Sequence, residues 1–267
     1  MPEGPEVLEY FNYIKPLLLK QQINKIKCLS GKYEKTPPEN WQKLQNILSR
    51  GGSIVSDVMV KGKTIFIEIK NEDTFIWLSF THGMTGWWEK ECEKHSRIVF
   101  ELSNTKLYYN DTRNFGKMSI YGNKNEFTSA IEHLGPDVLG ENMNYNSFYS
   151  RIDKKPKSKI GAVLLDQKLV AGIGNYMRCD ILWSAKLHYT RTIGSLNQIE
   201  RLDLYNAVKN ACSHYLNCKN IDESDDYFFI YYKDTDLYGN LVKRTTWLGR
   251  TIHYVDWGIN NVQKLGF

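Results

Sequence analysis

The apolar pattern of this chain changes period near its middle, and that change limits what the chain can fold into. Up to about residue 122 apolar residues come in short alternating runs, such as Ile65, Ile67 and Ile69 set against Phe66 and Glu68, the two-residue period of a strand. Strands are expected at 54–60, 64–70, 75–80, 97–102, 106–109 and 118–121, with one helix near 39–49 among them. From about residue 125 the spacing becomes helical. Between 195 and 217, Leu196, Ile199, Leu202, Tyr205, Val208, Cys212 and Tyr215 are expected on one helix face, and Ser195 with Gln198 reads as a capping box. Beyond Tyr227 the chain turns strand-like again and ends in a predicted hairpin, 241–247 and 251–255, around Leu248-Gly249-Arg250. Short strands followed by helices imply an α+β chain with a β-sandwich or barrel first and a helical domain second. With 267 residues, of which 42% are hydrophobic, there is material for two cores.

Ahead of the strands, Val7, Tyr10, Phe11, Ile14, Leu17 and Leu18 predict a helix opening at Pro5, with Glu6 in its first turn. The residues that lead into it, Met1-Pro2-Glu3-Gly4-Pro5-Glu6, can carry chemistry. Removal of Met1 would expose a proline amine beside two carboxylates. An α-amino group, with a pKa near ~8, keeps a usable neutral fraction where a lysine at ~10.4 does not. Such an amine can attack an electrophilic carbon to form an iminium, with Glu3 supplying or accepting the proton. Taken alone, a proline near a start is common, and Pro5-Glu6 need only open the helix; the two readings are compatible.

Net charge is +5, which suits a polyanionic partner without demanding one. No signal-peptide pattern opens the chain and no stretch approaches the ~20 apolar residues of a membrane span, so a soluble, intracellular protein is expected. The cysteines, Cys28, Cys92, Cys179, Cys212 and Cys218, form no Cys-x-x-Cys, and neither disulfides nor a structural zinc are expected. The basic run from Lys154 to Lys159 marks an exposed segment near the domain junction.

The N-terminal motif, read with Lys61-Gly62-Lys63, His82-Gly83-Met84-Thr85-Gly86 and Asp111-Thr112-Arg113-Asn114-Phe115-Gly116, resembles the formamidopyrimidine-DNA glycosylase and endonuclease VIII family. The second half continues the resemblance with Ile131-Glu132-His133-Leu134-Gly135-Pro136, the run from Leu165 to Tyr176 and the last hairpin, all in family order. Most members carry four zinc-binding cysteines near the C-terminus. This chain has none after Cys218, so it is most similar to the zincless endonuclease VIII-like branch, including proteins of giant DNA viruses.

The resemblance implies a catalytic β-sandwich domain with flanking helices (1–135), a hinge (136–150) and a helix-two-turns-helix domain (151–267) ending in a zincless β-hairpin finger at about 240–258. DNA would lie between the domains. Pro2 matches the family nucleophile, Glu3 the general acid that opens the sugar, Glu6 an assisting carboxylate and Lys63 a phosphate-engaging lysine. Met84, Arg113 and Phe115 match the wedge that fills the stack after a damaged nucleotide is flipped out. Asn175, at a glycine turn opening a helix, and Arg250, in the finger turn, match residues that bind DNA phosphates. Asp180 stands where the family often has glutamate. Trp247, Ile252, Tyr254 and Trp257 are expected to hold the finger by packing in place of a metal.

The activity implied is that of a bifunctional glycosylase and abasic-site lyase removing oxidised bases, mainly oxidised pyrimidines and further-oxidised guanine products, through an iminium at Pro2 and then β,δ-elimination. No cofactor or metal is implied. The implied partner is damaged duplex DNA, acted on by a monomer, with single-stranded and bubble DNA left open. The alternatives are a non-catalytic binder of abasic or damaged DNA and, more remotely, an N-terminal-proline enzyme acting on small carbonyl compounds.

Overall fold

The computed structural model describes residues 2–218 and 227–257. The chain divides into two compact units, Met1–His133 and Leu134–Phe267. The first opens with α1 (Gly4–Leu18), β1 (Ile23–Cys28), α2 (Lys32–Lys35) and α3 (Trp41–Leu48). Seven strands follow: β2 (Ile54–Lys61), β3 (Thr64–Asn71), β4 (Thr74–Thr81), β5 (Gly86–Glu89), β6 (Ser96–Leu102), β7 (Lys106–Asp111) and β8 (Lys117–Tyr121). The unit closes with α4 (Lys124–His133).

Alternation places one face of each strand in a shared core. The strands form two antiparallel four-stranded sheets, ordered β1-β6-β7-β5 and β2-β3-β4-β8. Ile26, Ile98 and Phe100 from one sheet, Ile67, Leu78 and Met118 from the other, and Val7 and Ile14 from α1 belong to one buried cluster. Phe66 belongs to the opposite face of β3 and is still buried, because α4 covers it. Phe127 of that helix meets Phe66 edge-on at 5.8 Å and stacks on Trp77 at 5.1 Å.

Strand β8 lies at the edge of its sheet, and side chains bond to several backbone groups along its outer side. The Tyr33 hydroxyl accepts from Met118 N–H at 2.8 Å and donates to the Met118 carbonyl at 3.1 Å. The Asn40 amide donates to the Ile120 carbonyl at 3.0 Å, and Lys43 Nζ to the Gly122 carbonyl at 2.6 Å.

The second unit contains α5 (Tyr145–Ile152), α6 (Ile160–Val163), α7 (Asn175–Ser184), a 3-10 turn (Ile193–Ser195), α8 (Gln198–Asn217), β9 (Val242–Trp247) and β10 (Arg250–Val255). Its core gathers Phe148 and Ile152 from α5, Met177 and Ile181 from α7, Leu204 and Val208 from α8, and Ile252. Residues 136–150, the expected hinge, contribute Val138, Phe148 and Tyr149 to this same core. No helix of the described residues is long and apolar enough to cross a membrane.

Two sequence expectations for the long helix need correction. Its cap is Asn197, not Ser195: the Asn197 Oδ1 accepts from Glu200 N–H at 2.9 Å, and Glu200 Oε2 accepts from Asn197 N–H at 2.9 Å. Ser195 instead ends the 3-10 turn, its hydroxyl donating to the Thr192 carbonyl at 2.8 Å. The buried face is Leu204, Ala207, Val208, Ala211, Cys212 and Tyr215, whereas Ile199 and Leu202 are 73% and 51% exposed. Counting only large apolar residues hides a face whose close packing uses two alanines.

Candidate functional site

The start of α1 fixes the N-terminal motif. Glu3 is the extended residue before the helix, and Pro5 in the first turn supplies a φ already suited to it. Glu6 Oε2 accepts from the Glu3 backbone N–H at 2.7 Å, and Val7 N–H donates to the Glu3 carbonyl at 3.0 Å. Both carboxylates are withdrawn from solvent, Glu3 being 1% exposed and Glu6 8%, while Pro2 is half-buried. The positive end of the helix favours negative charge at this point. One turn on, burial first and then the charges of Glu6 and Glu9 push the Tyr10 hydroxyl up to about 12. Chemically, the arrangement is a pair of sequestered carboxylates immediately following Pro2.

Tyr10 links this terminus to the loops beyond it. Its ring lies 4.9 Å from that of His82, and His82 Nε2 accepts from the Trp88 indole N–H at 2.9 Å. Burial lowers the His82 pKa to about 4, against a smaller opposing effect of Asp111, so the imidazole is neutral at pH 7. The His82 carbonyl in turn accepts from Gly86 N–H at 2.8 Å, closing the turn that carries Met84.

Met84, Arg113 and Phe115 come together at one place. Met84 stands between β4 and β5, and Arg113 and Phe115 between β7 and β8; Met84 is 41% and Phe115 57% exposed. The Arg113 guanidinium lies 4.7 Å from the Phe115 ring centroid, and its Nη1 is 3.1 Å from Met84 Sδ. The loops beneath touch backbone to backbone. A Cβ at Gly83, whose φ is +57°, would lie 2.6 Å from Gly116 N and 2.7 Å from the Phe115 carbonyl carbon.

Residues to which the sequence assigned no task support these tips. Asp111, 1% exposed, accepts from the Thr85 hydroxyl and from Gly116 N–H, each at 2.6 Å. Lys32 Nζ reaches the carbonyls of Asn114 and Gly116. Lys63 is half-buried in the Gly62-Lys63 turn joining β2 to β3, where Gly62 takes a φ of +56°.

In the second unit, Asn175 is the first residue of α7 and Gly174 its cap. Asn175 Nδ2 donates to the Thr251 carbonyl at 2.8 Å and to the Tyr231 hydroxyl at 3.2 Å, and its Oδ1 accepts from buried Arg178 at 2.5 Å. Asp180 fixes the neighbouring segment by accepting from the backbone N–H of Phe229, Ile230 and Tyr231 at 2.9, 3.0 and 3.2 Å, and from the Tyr215 hydroxyl. Burial pushes its carboxyl upward, and these donors oppose that shift.

The hairpin turn is two residues long, Leu248-Gly249, with φ of 51° and 70°. Arg250, expected in the turn, is instead an exposed residue that opens β10 opposite Trp247. The aromatic support of the hairpin is present: Trp247 and Tyr254 lie 5.1 and 5.2 Å from the Tyr189 ring, Ile252 is fully buried and Trp257 packs on the core. Residue 258, the last of the expected finger, lies outside the described residues. Among the described residues no group of three or more His, Cys, Asp or Glu is arranged to hold a metal ion.

Residues 1–118 match the formamidopyrimidine-DNA glycosylase N-terminal domain, and residues 134–222 the H2TH domain of the same enzymes. A formamidopyrimidine-DNA glycosylase of Ligilactobacillus salivarius is 31% identical over 212 residues, covering 75% of this chain and 72% of that protein. The chain belongs to the formamidopyrimidine-DNA glycosylase family. Another relative of that name, from Herpetosiphon aurantiacus, is 32% identical over 162 residues, a stretch covering 58% of this chain and 57% of that protein. The formamidopyrimidine-DNA glycosylase fold is likewise shared with MutM of Thermus thermophilus, at a TM-score of 0.79 and 24% identity over 96% of this chain and 97% of that one. It is also shared with the Lactococcus lactis enzyme in complex with DNA containing an oxidised pyrimidine, at 0.80 and 21% over 96% and 98%. As a formamidopyrimidine-DNA glycosylase family member, the protein is a DNA glycosylase of base excision repair, an activity that the family couples with abasic-site lyase activity.

Proposed function

We propose that this glycosylase removes oxidised bases, mainly oxidised pyrimidines and further-oxidised guanine products, using the Pro2 amine freed by loss of Met1. The amine attacks the anomeric carbon of the flipped nucleotide. Glu3 protonates the sugar ring oxygen, the ring opens, and the base leaves with its bonding pair and the proton released by the amine, giving an iminium. Loss of the C2′ proton then expels the 3′ phosphate in β-elimination, and a second elimination releases the 5′ phosphate. Hydrolysis returns the amine. Glu6 holds the terminus and assists proton transfer, and Lys63, Asn175 and Arg250 engage phosphates. Met84, Arg113 and Phe115 fill the gap that the flipped nucleotide leaves.

The observation that carries this reading is the Glu3 N–H bond to Glu6 at 2.7 Å, which fixes a buried carboxylate directly after Pro2. The clustering of one thioether, one guanidinium and one aromatic ring on adjoining loops supports the wedge. The substrate partner is damaged duplex DNA, with single-stranded and bubble DNA as further candidates.

The deciding experiment incubates the processed protein with borohydride and duplex DNA carrying one oxidised pyrimidine, beside Pro2→Gly and Glu3→Gln variants. The expected result is a covalent adduct in the wild type that is strongly reduced in Pro2→Gly, with slowed base release in Glu3→Gln. Binding to damaged and abasic DNA without trapping or nicking would overturn the catalytic assignment and leave a damage binder.

A further inference from the structure

Asp111 and Thr85 join the two wedge loops by a continuous set of hydrogen bonds. Asp111 ends β7 and is paired in register with Gly86, the first residue of β5, so its backbone is already paired with the strand beyond the Met84 turn. Its two carboxylate oxygens then divide their work. Oδ1 accepts from the Thr85 hydroxyl on the Met84 loop, and Oδ2 accepts from Gly116 N–H at the end of the Arg113 loop, each at 2.6 Å. Because its proton points at Asp111, the Thr85 oxygen is left as an acceptor, and it takes the Arg113 backbone N–H at 3.0 Å.

A carboxylate oxygen bonded to a hydroxyl or an amide makes a short, charge-assisted bond, stronger than a neutral pair. Asp111 is 1% exposed, so water competes little for these bonds. At Gly83 the two loops pack so closely that an added Cβ would lie 2.6 Å from Gly116 N, so these hydrogen bonds join backbones already in contact.

We infer that Asp111 and Thr85 are positioning residues that preassemble Met84, Arg113 and Phe115 as one rigid wedge before DNA arrives. The inference rests on the wedge reading above. Base extrusion is then opposed less by loop ordering, because the ordering was completed on folding. Neither residue touches the reacting atoms in this scheme. Their loss should therefore slow steps that require an intact duplex to be opened, and spare chemistry on a site that needs no opening.

The test uses the full chain and two substrates: a duplex with one oxidised pyrimidine, scored by single-turnover base release, and a single strand with one abasic site, scored by borohydride adduct formation. Thr85→Val removes the hydroxyl while keeping the branched shape. It should slow duplex excision about tenfold, as loss of two hydrogen bonds in a transition-state assembly implies. Adduct formation on the single strand should stay within about twofold of wild type, and Thr85→Ser should restore duplex excision.

Equal slowing on both substrates, no slowing on either, or no rescue by serine would overturn the coupling. Met84→Ala and Phe115→Ala, run beside them, separate this outcome from failure of the wedge itself. Duplex loss in those two with none in Thr85→Val overturns the coupling alone. No duplex loss in Met84→Ala or Phe115→Ala overturns the wedge reading and the coupling with it, whatever Thr85→Val does.

Discussion

Asn175 ties the first turn of α7 to the hairpin by donating to the Thr251 carbonyl at 2.8 Å, one residue beyond Arg250. A residue proposed to bind phosphate at a helix start is thus fixed to the strand that carries a second one. Their relative placement is built into the second unit rather than created when DNA binds. The same asparagine meets Tyr231, whose backbone N–H is held by Asp180. Asp180 also accepts from the amides of Phe229 and Ile230 beside it.

Glu6→Ala should cost about 1 kcal/mol of stability, because the Glu3 N–H loses its partner at the helix start. Glu6→Gln keeps an acceptor oxygen and should recover most of it. Thermal unfolding of the three proteins measures the difference, and equal melting temperatures for wild type and Glu6→Ala would contradict it.

Gly83→Ala should destabilise the first unit by roughly 1–3 kcal/mol, since the residue has positive φ and a new Cβ would collide with backbone rather than with a yielding side chain. Chemical denaturation gives the number. A neutral result would mean that the two loops slide apart easily.

Stability of the first unit should fall as pH drops from about 6.5 towards 4. His82 has its pKa lowered to about 4 in the folded protein, whereas the unfolded chain takes up that proton near the ordinary value. In that window the unfolded state binds more protons, so stability rises with pH. The full penalty, reached below the folded value, is roughly 3 kcal/mol. His82→Gln, which can still accept from Trp88, should flatten this part of the profile in denaturation series at several pH values.

Leu248→Asn should stabilise the hairpin by about 0.5–1 kcal/mol. Leucine at a φ of 51° holds a conformation that asparagine adopts more readily, and the side chain is 62% exposed. A higher melting temperature is expected; a lower one would show that the leucine side chain makes a stabilising contact.

Much of the sandwich was legible because alternation reports directly which side of a strand is buried. β1 was not, since Ile23-Asn24-Lys25-Ile26-Lys27-Cys28 has too few apolar residues to mark a period. β5, only four residues long, reads as a turn with two tryptophans. The start of α8 was misread because Ser195-x-x-Gln198 and Asn197-x-x-Glu200 both satisfy the capping pattern, and only the backbone chooses between them. The proposed site residues were legible through motifs, which mark positions without their supports. Lys32 meets Gly116 across 84 residues and Asn175 meets Thr251 across 76, separations that no local pattern encodes. Thr85 and Asp111 stood inside recognised motifs with no role attached, because their partnership exists only when two loops meet.

The side chains laid along β8 also bear on how this protein behaves in company. A strand edge with unused amides and carbonyls is a template on which another chain can add itself. Here Tyr33, Asn40 and Lys43 occupy several of those groups from a stretch that forms no strand, so pairing of another strand along them would first require displacing these side chains. The same three side chains thus guard against edge-to-edge association while they brace the strand that follows the Arg113 loop.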